Sequence, residues 1–133
     1  FVPYHHPVLD SMAKSPTPQL FAVMFVTTAI ITPIVEEFTF RVLLQGGMQG
    51  IADMSQGEDS HWSPRSYWPV IVTSLFFSLM HLGQGAGFVP LFFLSLGLGY
   101  LYRQTGRASA VIIIHMVLNG TTLCVQFAKL NIG

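Results

Sequence analysis

Residues Leu20 to Val35 (LFAVMFVTTAIITPIV) carry no charge, yet the run ends on Glu36 and Glu37. Arg41 follows one turn later, and the apolar character resumes at Val42, Leu43 and Leu44. A charged side chain at membrane depth costs about 2.5–3.5 kcal/mol on insertion scales. A chain that keeps three of them in one apolar stretch uses them for chemistry or transport. Any fold it adopts must give those groups partners away from water.

Composition places that stretch in a membrane. Charged residues are 9% of the 133, against about 25% in an ordinary soluble domain. Net charge is zero, so no basic field points to nucleic acid. Four apolar runs stand out, at about 18–44, 68–82, 88–102 and 108–128. A spanning helix needs about 20 residues; the first and fourth runs meet that and the middle two are short. Together they fill most of the chain and leave too little polar surface for a soluble globule. Tyr67, Trp68, Tyr100 and Tyr102 at run ends read as an interfacial aromatic belt. The expected fold is all-α, a polytopic bundle of about four membrane helices forming a single domain over residues 1–133. The chain opens on Phe1 and reads as a segment of a longer multi-pass protein. Cys124 is alone, so no internal disulfide forms.

The connections are polar. Residues 45–66 (QGGMQGIADMSQGEDSHWSPRS) are rich in Gly, Ser and acids and read as an exposed loop. Its Asp53, Glu58, Asp59 and His61 are more readily a solvated group than a cation site. Four spans put this loop and the Arg103–Arg107 turn on one side, with Lys14 and Lys129 on the other. The basic residues place the loop side in the cytoplasm.

Three motifs carry polar groups into the helices. In Glu36-Glu37-Phe38-Thr39-Phe40-Arg41, Glu37 and Arg41 stand at i and i+4 and can pair on one face. That pair reads equally as a structural ion pair. Glu36 is turned about 100° from Glu37 and points elsewhere, free to act as a general base. Pro33 lacks an N–H, so it should leave the Ala29 carbonyl without a helical partner and kink the helix. In the second motif, Phe77 and His81 share a face at i, i+4, and in the third so do His115 and Asn119. Interhelical hydrogen bonding alone would explain either polar residue of the third.

One carboxylate, two imidazoles and an amide on three helices can activate water. Glu36 would take the proton with a histidine orienting the water, and His115 and Asn119 would donate to an oxyanion. Alternatively Glu36, His81 and His115 would ligate zinc, although the HExxH spacing is absent. No Gly-x-Ser-x-Gly elbow is present. A proton-coupled transporter subunit would also keep Glu and His inside a bundle. A non-catalytic immunity or scaffold protein would dispense with all three groups.

The order Glu-Glu-x-x-x-Arg, Phe-x-x-x-His, His-x-x-x-Asn, each on its own apolar helix, resembles the CPBP family of intramembrane proteases. That family includes the type II CAAX prenyl endopeptidases and the bacteriocin-processing or immunity (Abi) proteins. The resemblance covers Glu36 to Asn119. It implies a multi-pass membrane enzyme, in the plasma membrane if the source is a prokaryote, that cleaves membrane-embedded or lipidated peptides. It also implies Glu36 as the base, His81 assisting, His115 and Asn119 as oxyanion donors, and Glu37 and Arg41 in support. Metal-dependent and glutamate-only mechanisms both attach to the family. One feature of the spacing resists a shared site: counted inward from the loop side, Glu36 lies about 8 residues in and His81 about 13. At 1.5 Å per residue His81 would sit roughly 8 Å deeper.

Overall fold

A computed structural model describes residues 7–14, 17–54 and 64–132. All the elements among them are helical. A short α1 (Pro7–Lys14) precedes α2, which runs unbroken over Pro18–Met54. Then come α3 (Trp68–Leu79), a 3-10 turn over Leu82–Gly87, α4 (Phe88–Thr105) and α5 (Ala108–Ile132). The four apolar runs are thus four helices. By length and hydropathy, α2 and α5 can each cross a membrane; α3 has 12 residues and α4 has 18.

Helix α2 starts where local chemistry dictates. The Thr17 hydroxyl accepts from the Leu20 N–H at 3.3 Å, and Pro18 takes the first position, where its missing N–H costs nothing. The expected Gly-rich loop from residue 45 is corrected: the helix continues to Met54. Side-chain bonding outweighs the poor helix propensity of Gly46, Gly47 and Gly50. Gln45 donates to the Gly99 carbonyl at 2.8 Å, and Gln49 to Asp53 at 2.8 Å and the Ser66 carbonyl at 3.2 Å. Glu58, Asp59 and His61 lie outside the described residues.

Pro33 acts as expected on hydrogen bonding, but in a different register. Residues Phe25–Ile31 are π-helical, and the Thr32 N–H bonds the Thr27 carbonyl, five residues back. Continuing that register, the proline withholds its bond from Thr28 rather than from Ala29. A second π-helical stretch, Phe38–Gln45, carries Arg41.

The chain turns between α4 and α5 at Gly106, whose φ of 62° is left-handed and costs glycine nothing. Helices α3 and α4 form a hairpin, α5 lies along the first half of α2, and the second half of α2 packs on α3. Two small apolar clusters fix these contacts, Ala29 with Leu123 and the trio Leu98, Tyr102 and Val111. Tyr102 is therefore buried rather than part of an aromatic belt; Tyr67, Trp68 and Tyr100 are exposed. Besides Phe40, Val70 and Phe77, the interior holds many polar groups: Glu37, Arg41, Gln45, Gln49, Thr73, Ser74, Ser78 and Ser95 are all buried. Outside, Val26, Phe38, Leu43, Phe93 and Val117 face away from the protein. A polar interior inside an apolar exterior is the arrangement that lipid favours.

Candidate active site

Glu36 and Glu37 leave α2 toward different partners. The Glu37 side chain is fully buried and uses both carboxylate oxygens: Arg41 Nε donates to Oε2 at 2.8 Å, and His115 Nδ1 donates to Oε1 at 2.8 Å. Arg41 is held in turn by its Nη2 donating to Ser95 Oγ at 2.8 Å. One carboxylate thereby joins α2 to α5, and its arginine joins α2 to α4. The sequence reading gave Glu37 the Arg41 contact alone and missed the contact with His115.

Glu36, 22% exposed at its side chain, faces both site histidines. Its Oε1 lies 3.6 Å from His81 Nε2 and its Oε2 lies 3.8 Å from His115 Nε2. The Phe77 carbonyl, 2.8 Å from His81 Nδ1, can only accept, so Nδ1 carries the proton and Nε2 turns to Glu36. His115 is fixed the same way, its Nδ1–H on Glu37. Phe77 steadies the set, with its ring centroid 4.8 Å from that of His81 and 6.3 Å from that of His115. Separations of 3.6 and 3.8 Å exceed a direct hydrogen bond. Glu36 is therefore not committed to either imidazole by a direct bond.

The expected depth mismatch between Glu36 and His81 is absent, since Oε1 and Nε2 lie 3.6 Å apart, and the helix end from which Glu36 was counted lies at Met54, not Leu44. Asn119 makes an interhelical hydrogen bond, the alternative its motif allowed. Its Nδ2 donates to the Thr28 carbonyl at 3.1 Å, the carbonyl that the π register and Pro33 leave free. One amide hydrogen is thus spent on the backbone and the other stays available.

The three zinc candidates face one another through the Glu36 carboxylate and the two imidazole Nε2 atoms. Among the described residues no group of three His, Cys, Asp or Glu side chains is placed to hold a metal ion. Nδ1 of His115 is held by a carboxylate and Nδ1 of His81 by a carbonyl, which leaves both Nε2 atoms facing Glu36.

A family model, type II CAAX prenyl endopeptidase Rce1-like, matches residues 18–121. The chain belongs to that family. No curated protein and no solved structure matches it. The Rce1-like family is one of membrane-embedded proteases, and the match runs from the first turn of α2 past Asn119 on α5. It contains all six residues singled out from the sequence.

Proposed function

We propose that this Rce1-like chain is a multi-pass intramembrane endopeptidase that hydrolyses peptide bonds of lipidated, prenyl-type peptides with water activated by Glu36. The observation that carries the reading is the placement of one part-exposed carboxylate against two imidazole Nε2 atoms, at 3.6 and 3.8 Å. Water held there gives its proton to Glu36 while its oxygen attacks the scissile carbonyl carbon. His81, locked by the Phe77 carbonyl, orients that water. As the C–N bond breaks, Glu36 returns the proton to the departing amine.

The carbonyl oxygen gains negative charge in the tetrahedral state and needs donors. His115, its ring held by Glu37 on Nδ1, supplies one through Nε2–H. The second hydrogen of the Asn119 amide is the other donor. Arg41 keeps Glu37 aimed at His115. Glu37 is then a positioning residue for His115, and Glu36 the base.

The test is cleavage of a membrane-tethered, prenylated peptide by wild type and Glu36→Gln in lipid, each with and without a zinc chelator. Turnover by wild type, its loss in Glu36→Gln and indifference to the chelator are expected. Equal turnover by both proteins would overturn the assignment of Glu36.

A further inference from the structure

On α2 the buried polar groups do not stop at the site. Glu37, Arg41, Gln45, Gln49 and Asp53 follow one another at intervals of four, a single stripe along the helix. The first four are completely or almost completely buried. The stripe starts on His115 through Glu37 and ends where Gln49 and Asp53 meet the backbone at Arg65 and Ser66. Its hydrogen bonds are incomplete. Arg41 Nη1, Gln45 Oε1, Gln49 Oε1 and, on α3, Ser74 Oγ are buried with no partner among the described residues.

Two of these atoms, Gln45 Oε1 and Arg41 Nη1, flank Gly99. A Cβ on Gly99 would lie 3.0 Å from Gln45 Oε1, 3.3 Å from Arg41 Nη1 and 3.0 Å from Val70 Cγ1. The missing side chain of Gly99 therefore keeps a donor and an acceptor open to each other's surroundings. Ser74 stands one turn beyond Val70 and just short of Phe77, whose ring lies 6.0 Å from the Arg41 guanidinium carbon. At i+4 from Val70, which touches Gly99, Ser74 shares that face of α3. Its neighbours Thr73 and Ser78 bond carbonyls of their own helix, and Ser74 does not. A buried polar atom left unpaired costs about 1–3 kcal/mol. A buried water commonly makes about three hydrogen bonds to such groups.

We propose that Arg41 Nη1, Gln45 Oε1 and Ser74 Oγ bind a buried water beside Gly99. Together with Gln49, this water makes the stripe the route by which water reaches the Glu36 site from the Asp53 end. The inference rests on the proposed hydrolysis. Each bond cleaved consumes one water, whose oxygen enters the new carboxyl group and whose protons are shared between the two products. Gln45 and Ser74 touch neither Glu36 nor its histidines, so they are positioning residues for water.

The experiment uses the whole protein in lipid nanodiscs. Radiolytic labelling, in which bound water oxidises adjacent side chains, should modify buried Phe77 in wild type. Gln45→Met and Ser74→Ala should each lower that labelling several-fold. Both should also lower kcat on the prenylated peptide several-fold with KM unchanged, because supply and not substrate binding is lost. The labelling decides the water site even in a protein that cleaves nothing, which separates this inference from the function it rests on. Phe77 left unmodified in wild type, or modified equally in all three proteins, overturns the water site. Labelling lost with kcat unchanged overturns the supply role.

Discussion

Glu36 and Glu37 are adjacent in sequence, and their surroundings give them opposite tolerances. Glu37 is buried with both oxygens spoken for, so removing its charge strands Arg41 and His115 together. Breaking a buried pair from one side costs about 3–5 kcal/mol. Glu36 makes no contact shorter than 3.6 Å among its ion pairs and is part-exposed. Glu37→Gln should therefore lose several degrees in a detergent thermal melt, while Glu36→Gln melts with wild type and loses turnover. Equal melting of the two variants would contradict this division. The Glu37–Arg41 bond was legible in the sequence because i, i+4 spacing is a local fact. The bond from Glu37 to His115 was not, since it spans 78 residues that no periodicity connects. Asn119 shows the same limit: its stripe was readable, but its partner is a backbone carbonyl freed by a register that only packing reveals.

At the scale of the helix, Pro33 and the glycines after Gln45 were both visible, and both needed the fold for their meaning. The proline was read as a kink; it directly follows a π-helical stretch whose free Thr28 carbonyl is taken by α5. Pro33→Ala restores an N–H able to bond Thr28, so Asn119 then has less to lose. In a double-mutant cycle, Asn119→Leu should cost about 0.6 kcal/mol in wild type and close to nothing in Pro33→Ala. Independent costs would mean that the proline does not set the acceptor. The glycines were read as a loop because their propensity says so, and contacts of Gln45 and Gln49 with distant backbone override it. Gly47 is exposed, with nothing within 4 Å of an added Cβ. Gly47→Ala should thus stabilise by about 1 kcal/mol, as in any helix interior. A loop at that position would show no such gain, and thermal melting of the variant distinguishes the two.

At the scale of the molecule, the decisive property is inversion: polar groups line the contacts among α2, α3 and α4, and large apolar side chains cover the outside. Composition alone announced a membrane chain. It could not say which face of each helix turns inward, because the apolar residues go nearly all round and a weak periodicity leaves the direction open. The inward face is set instead by sparse polar residues, Glu37, Arg41 and Gln45 on α2 and Ser95 on α4, which have no other acceptable place. Val117 tests the inversion. It stands near the middle of α5 with 60% of its surface exposed, two residues past His115 and turned away from the site. In water an exposed Val→Asp change is close to neutral, within about 0.5 kcal/mol. In lipid the same aspartate near a helix centre costs about 2.5–3.5 kcal/mol. Val117→Asp should therefore deplete the protein from the membrane fraction and raise its proteolysis in cells, while Val117→Leu leaves both unchanged. If Val117→Asp accumulates and melts like wild type, α5 does not face lipid, and the interior polarity would need a different explanation.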